Sequence, residues 1–157
     1  MFGENCALII NVLVCAVGYF GLVSATTTAA DTVLYIPLDE RFTTRNAFLN
    51  LAGVTDQNVL TPPLSYISQH KRPANLSLID GWIEPHAAAA LAVSSVVNLA
   101  LVVSLEMYVY GGLNQSRISN TTQGEVDARL QQLVSLRERY PSMRTYVSAV
   151  VMRIPSY

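Results

Sequence analysis

The chain has few of the residues on which several common classes of protein depend. Its 157 residues include two cysteines and a single lysine, and only 13% of them are charged. Ten basic residues against eleven acidic ones give a net charge of −1, so there is no basic surplus for a phosphate backbone, and we expect no nucleic acid partner. A hydrophobic content of 51% excludes an intrinsically disordered chain.

Several short enzyme motifs are also missing. The sequence contains neither a GxxxxGK[ST] nor a GxGxxG phosphate-binding loop, and it has no G-x-S-x-G elbow of an α/β serine hydrolase. His70 and His86 lack the spacing of metal ligands with each other or with a cysteine. We therefore expect no cofactor, and the leading interpretation includes no metal ion.

The first 25 residues are typical of a secretory signal peptide. The run Cys6–Val23 is almost wholly apolar, and small residues before Ala25 and before Ala30 form two candidate cleavage sites. We expect residues 1–25 to be removed, residues 26–32 to form a linker, and the protein to be secreted. The run is long for a cleaved signal and no Lys or Arg precedes it, so an uncleaved membrane anchor through residues 6–23 is the alternative.

Cleavage would have two consequences for chemistry. It would remove Cys6 and Cys15, so the secreted chain would have neither a disulfide nor a thiolate site. Entry into a eukaryotic secretory pathway would also expose three Asn-x-Ser/Thr sequons to glycosylation, at Asn75, Asn114 and Asn120. We expect less glycan at Asn114 than at the other two, because it lies next to the Gly111-Gly112 turn.

Short apolar runs alternate with longer amphipathic stretches after the linker. The runs predict strands at Val33–Ile36, Val59–Leu60, Val96–Val103 and Tyr146–Met152, and the stretches predict helices at Phe42–Leu51, at Leu76–Val93 and between Thr122 and Pro141, with a polar loop at Tyr66–Asn75. Such alternation indicates an α/β fold with a parallel sheet, preceded here by the N-terminal hydrophobic helix. A partial open Rossmann-like sheet and a partial barrel both fit this pattern.

The helices carry local signals of their own. Pro85 either opens the main part of the second helix or kinks it. In the third, Thr122 and Glu125 fit a capping box, and Glu125 and Arg129 are spaced for an i,i+4 ion pair. Its predicted apolar stripe consists of Val126, Leu130, Leu133 and Val134.

Acidic residues follow two of the predicted strands. Asp39 and Glu40 come after the first strand, and Glu106 follows the very apolar third one. Because function gathers at the carboxyl ends of parallel strands, we expect these carboxylates to meet and to act as acid and base in hydrolysis, for example of a glycosidic bond; a carboxylate metal site is a further option. The alternative is an ion-pair network, in which nearby arginines such as Arg41 merely neutralise the acids.

The same segments resemble a known family. The stretches VLYIPLDERF, VLTPP, VVSLEMYVYGGLNQSR and VVMR are similar to motifs of the family catalogued as domain of unknown function 4127. The similarity runs from about Val33 to Pro155, and members of that family are much longer. We therefore expect residues 33–157 to be an N-terminal portion of such a domain that is inactive by itself. Two positions depart from the family: Phe42 stands where the family tends to have Pro, and Glu106 where it tends to have Asp.

The resemblance implies a set of functional residues. It marks Asp39, Glu40 and Glu106 as catalytic candidates, and as substrate-binding candidates Arg41, Tyr110, Gly111, Gly112, Ser116, Arg117 and Arg153. Together with the strand-end carboxylates, this set leads us to expect a secreted hydrolase that acts on carbohydrate. A non-catalytic binding protein or a membrane-anchored surface module is the alternative.

Overall fold

The computed structural model describes residues 31–55, 57–92 and 98–150. The predicted signal peptide, the N-terminal hydrophobic helix and Arg153 lie outside these ranges. Of the helices within them, none is both long enough and apolar enough to cross a membrane.

Strands and helices alternate as expected, and the α/β class is confirmed. In chain order the elements are β1 (Thr32–Ile36), a π-helical turn (Phe42–Asn46), α1 (Ala47–Val54), β2 (Asn58–Leu60), α2 (Leu76–Ala92), β3 (Leu99–Ser104), α3 (Leu105–Tyr110), α4 (Leu113–Ile118), α5 (Gln123–Arg139) and β4 (Arg144–Ser148).

The four strands form one parallel sheet in the order β2-β1-β3-β4. In a barrel of successive strand–helix units each strand lies beside the next strand of the chain. Here β3 pairs with β1 instead, with Leu34 opposite Leu101 and Ile36 opposite Val103. Of the two predicted alternatives, the order of the described strands fits the open Rossmann-like sheet and not the barrel.

Helices cover both faces of the sheet. Tyr35 of β1 contacts Phe48 of α1, with ring centroids 4.3 Å apart. Leu34 and Ile36 point to the opposite face, where they are fully buried in a core that includes Ile79 of α2. In the strand order, β2 lies outside β1 at one edge of the sheet and β4 lies outside β3 at the other. The chain thus leaves β1 and β3 toward opposite edges, which makes the crevice between these two strands a topological switch point.

Helix α5 confirms one local prediction and contradicts two. Its capping box is present, since Thr122 Oγ1 accepts from Glu125 N and the Glu125 carboxylate accepts from Thr122 N. The predicted Glu125–Arg129 pair is wrong, because Arg129 binds Asp80 of α2 instead. The predicted stripe is wrong at Val134, which is 47% exposed.

Several predicted boundaries also move. β4 begins at Arg144, two residues before the predicted start at Tyr146, and ends at Ser148, four residues before the predicted end at Met152. Helix α2 runs through Pro85 as one element, so the proline does not begin its main part. The short helices α3 and α4 were not predicted, and they occupy the segment that follows β3.

Candidate active site

Two acidic residues occupy equivalent places at the switch point. Ile36 and Val103 are register partners in β1 and β3, and Asp39 and Glu106 each follow three residues later. Asp39 is 6% exposed and Glu106 is 5% exposed. They are the only charged residues that are buried in the described part of the chain. The sheet thus brings together two of the three predicted catalytic carboxylates at one edge.

Asp39 is surrounded by hydrogen-bond donors. Its Oδ2 accepts from Arg41 Nε at 2.7 Å and from Arg41 Nη2 at 2.6 Å, while its Oδ1 accepts from the Arg41 backbone N–H at 3.1 Å and from the Thr44 hydroxyl. Burial alone would raise the pKa of Asp39, but the hydrogen bonds from Arg41 and Thr44 and the charge of Arg41 outweigh it and hold that pKa below its ordinary value. Asp39 is therefore an ionised carboxylate at neutral pH.

Glu106 accepts fewer hydrogen bonds than Asp39 does, and its two bonds connect two strand ends. Ser104 Oγ donates to Glu106 Oε2 at 2.6 Å, and the backbone N–H of Val150, beyond the end of β4, donates to Oε1 at 2.6 Å. Each carboxylate oxygen accepts one of these bonds and keeps further acceptor capacity. Glu106 is thus buried and fixed in position, yet it is not neutralised by a cation among the described residues.

Glu40 directly follows Asp39 but binds a different segment of the chain. Its Oε1 accepts from the backbone N–H of His70 at 2.6 Å. His70 belongs to a segment, Tyr66–Asn75, that we call the strap. The strap was predicted as a polar loop, but Ile67 and Ser68 are buried within it, and Gln69 and Arg72 exchange two backbone hydrogen bonds in a tight turn.

The strap is fastened to the segment that follows β3. Ala74 N donates to Gly111 O at 2.9 Å, Asn114 Nδ2 donates to His70 O at 3.0 Å, and Gln115 Nε2 donates to Lys71 O at 3.2 Å. Together with the Glu40 bond, these contacts place the strap across the loops that leave β1 and β3.

The two glycines at this turn are required by the strap. Gly111 and Gly112 have φ values of +82° and +134°, which favour glycine. A Cβ added to Gly112 would lie 2.5 Å from Ser68 Oγ, and one added to Gly111 would lie 3.2 Å from Ala74 N. The backbone segment that approaches these glycines is therefore the strap itself.

The remaining predicted binding residues are less central. Tyr110 is half-buried and packs against the core, Ser116 Oγ donates within its own helix to Leu113 O at 2.8 Å, and Arg117 is exposed. Arg41 reaches the site through its ion pair with Asp39. The predicted role of Arg153 falls on a residue outside the described ranges.

All three sequon asparagines are exposed. Asn75 Oδ1 accepts from Leu78 N at the start of α2, and Asn114 Nδ2 is the donor to the strap described above. Glycosylation at Asn75, Asn114 and Asn120 stays a prediction, and the bond made by Asn114 agrees with lower occupancy there.

Sequence reasoning missed the groups that hold the carboxylates in place. Ser104 stands two residues before Glu106 at the end of an apolar strand, a position from which its hydroxyl reaches that side chain, so a signal was present. Thr44 and the Val150 N–H gave no signal, because their contacts depend on how the π-helical turn and the end of β4 fold back.

A second polar cluster supports this edge from the helical side. Arg129 of α5 forms two hydrogen bonds with Asp80 of α2, at 2.5 and 3.2 Å, and two with the Tyr108 carbonyl of α3, at 2.8 and 3.0 Å. Its guanidinium also lies 4.2 Å from the centre of the Tyr108 ring. Burial and the Asp80 carboxylate raise the pKa of the Tyr108 hydroxyl to about 12. The cluster joins three helices beside a cleft of about 390 Å³ between α2 and α5.

No group of three His, Cys, Asp or Glu side chains in residues 31–55, 57–92 and 98–150 is placed to hold a metal ion. Both acids of the helical cleft, Asp80 and Glu84, form ion pairs with arginines of α5. The arrangement at the switch point is therefore that of two carboxylates with hydrogen-bond donors around them.

Comparison with known proteins agrees with the resemblance read from the motifs. A search of curated proteins and a search of solved structures found no match. A family model described as "Protein of unknown function (DUF4127)" matches residues 33–157, which include every described strand pairing from Val33 onward and both buried carboxylates. The chain therefore belongs to the DUF4127 family.

Proposed function

We propose that this protein is a hydrolase that acts on carbohydrate, with Asp39 and Glu106 as its catalytic carboxylates. One observation carries the proposal: the only charged residues buried in the described chain sit at equivalent positions of the two strands that border the switch point. Burying a carboxylate is costly, and open α/β sheets bind their ligands in this crevice.

The different surroundings of the two carboxylates assign them different roles. Asp39 has a lowered pKa and stays ionised, so it cannot deliver a proton at neutral pH. It suits the carboxylate that stabilises the positive charge developing on the sugar ring. Glu106, which no arginine of the described residues neutralises, then exchanges the proton with the glycosidic oxygen and with water. Arg41 keeps Asp39 ionised and oriented.

The substitution Glu106→Gln tests the proposal. In the variant, the amide oxygen still accepts from Val150 N and the amide nitrogen donates to Ser104 Oγ, so the fold should persist. We expect the release of reducing sugar from a polysaccharide panel to fall at least about a hundredfold, with a melting temperature close to that of the wild type.

Glu138→Gln provides the matched control, because Glu138 is exposed on α5 away from the sheet edge. It should leave both activity and melting temperature unchanged. An active Glu106→Gln variant would refute the role of Glu106, and a loss of folding together with activity would favour a structural carboxylate.

A non-catalytic binding or surface module is the second candidate, and the environment of Asp39 favours it. Arg41 and Thr44 already satisfy both oxygens of that carboxylate, as they would in a purely structural ion pair. This candidate would be supported if the wild-type protein bound a polysaccharide without hydrolysing it and Glu106→Gln bound it equally well.

We also propose that the protein is secreted after cleavage of its N-terminal segment. Asp31 is the first residue that the structure describes; its carbonyl accepts from Asn58 N, and its Oδ1 accepts from Asn98 Nδ2 at 2.9 Å. Cleavage after Ala25 or after Ala30 would leave these contacts intact. N-terminal sequencing of protein from the culture medium should find Thr26 or Asp31 first; an intact Met1 in the membrane fraction would instead support the anchor.

A further inference from the structure

The strap carries two cations that form no ion pair with an acid of the described residues. Lys71 and Arg72 are exposed, and neither lies within ion-pair distance of a carboxylate in the described chain. The ammonium group of Lys71 makes no hydrogen bond there, and Arg72 makes only a long one, from Nη2 to Ser65 O at 3.4 Å. Arg41, by contrast, is paired with Asp39 through its Nε and Nη2.

These cations are held close to the switch point. They lie in the tight turn Gln69–Arg72, whose backbone is fixed by Glu40 on one side and by Asn114 and Gln115 on the other. Glu40 directly follows Asp39 in the chain, so the backbone of the turn lies next to the loop that carries Asp39. A turn fastened at three points loses little conformational freedom when it binds a ligand.

The charge balance of this edge indicates what the cations are for. Asp39, Glu40 and Glu106 all stand there as acids, and Arg41 neutralises only one of them. Without Lys71 and Arg72 the crevice would repel any anionic ligand. With Lys71 and Arg72, which we call the rim, three cations balance the three acids of this edge. Arginine and lysine at such a rim suit a carboxylate or a sulfate group, which accepts several hydrogen bonds at once.

We propose that Lys71 and Arg72 bind the anionic group of an acidic carbohydrate, either a uronate carboxylate or a sulfate ester, while a neighbouring glycosidic bond lies at Asp39 and Glu106. This inference rests on the proposed hydrolase function and names its substrate class. Neutral sugars would leave both cations without a partner.

Binding to defined polysaccharides tests the inference with the full chain. Polygalacturonate supplies carboxylates, dextran sulfate supplies sulfates, and dextran is the neutral probe. We expect the wild-type protein to bind at least one anionic probe and to bind dextran weakly. The double variant Lys71→Ala/Arg72→Ala should bind the anionic probe about tenfold or more weakly than the wild type, because it lacks the charged hydrogen bonds of both side chains.

Two control variants isolate the position and the charge. Arg137→Ala removes an exposed cation from α5 and should leave binding unchanged. Lys71→Arg/Arg72→Lys keeps both charges and should retain most of the affinity. Equal binding of dextran and of the anionic probes, or equal losses in the double variant and in Arg137→Ala, would overturn the inference.

The outcome is separable from that of the hydrolase proposal. If the double variant loses anionic binding while Glu106→Gln hydrolyses as the wild type does, the strap inference stands and the catalytic assignment fails. If Glu106→Gln stops hydrolysis while the double variant binds and hydrolyses normally, the catalytic assignment stands and the strap inference fails. A preference for polygalacturonate or for dextran sulfate identifies which anion the rim takes.

Discussion

At the scale of single residues, Asp39 and Glu106 are equally buried but have different hydrogen-bond partners. Both are almost inaccessible to solvent, but Asp39 receives an arginine and a hydroxyl, whereas Glu106 receives one hydroxyl and one backbone N–H. Charged donors stabilise the ionised form more strongly than neutral ones do. The proposed roles of the two carboxylates therefore rest on their partners and not on their burial.

The lowered pKa of Asp39 predicts a dependence of stability on pH. A carboxyl whose pKa is lower in the folded state contributes stability above its ordinary pKa of 3.8, and this contribution disappears as the pH falls through the folded-state pKa. Asp39→Asn should therefore lower the free energy of unfolding by about 1–3 kcal/mol at pH 7, because its amide cannot accept all the bonds from Arg41 and Thr44.

Urea unfolding of the wild type and of Asp39→Asn between pH 7 and pH 2 measures this effect. The difference between the two proteins should shrink once the pH is well below 4. A difference that stays constant over the whole range would show that the Asp39 charge does not stabilise the fold.

At the scale of secondary-structure elements, the sequence allowed most of the fold to be predicted. Long periodic segments were recognised because their pattern is local: α2 and α5 repeat apolar residues over seventeen positions each, and β3 is apolar on both faces. The six-residue helices α3 and α4 escaped prediction because so few residues show no clear period.

Contacts between distant segments could not be read from the pattern. Arg129 lies four residues from Glu125 but binds Asp80, which is 49 positions away, because the packing of α5 on α2 brings that acid closer to its guanidinium. The strand-end carboxylates could be predicted because they directly follow apolar runs. The position of the strap could not, because it depends on bonds to Glu40 and to the segment after β3.

The strap gives a prediction at this scale. Gly112→Ala should lower the free energy of unfolding by about 1–3 kcal/mol, because its backbone is in a region that favours glycine and its Cβ would meet Ser68. Gly81→Ala is the matched control inside α2, where an added Cβ has no atom within 4 Å. It should raise stability by about 0.5–1 kcal/mol.

Chemical denaturation of both variants measures the two effects. Similar changes in both proteins would show that the strap does not press on Gly112.

At the scale of the whole molecule, strand order is what creates the site. If β3 had paired with β2, Asp39 and Glu106 would be separated by an intervening strand. β3 pairs with β1 in parallel, and the connections after these two strands run to opposite edges of the sheet. The loops after both strands therefore face one crevice. The strap is bonded to the loops after both strands, through Glu40 and through Gly111.

Whether Asp39 and Glu106 work together as one catalytic unit is tested most directly by a double-mutant cycle. The rate of polysaccharide hydrolysis is measured for the wild type, Asp39→Asn, Glu106→Gln and the double variant, at a pH and temperature where all four are folded. If the pair shares one site, the double variant should be about as slow as the slower single variant, because residues that act as a unit are not additive. Rate losses that simply multiply, or a Glu106→Gln variant as fast as the wild type, would contradict a shared active site.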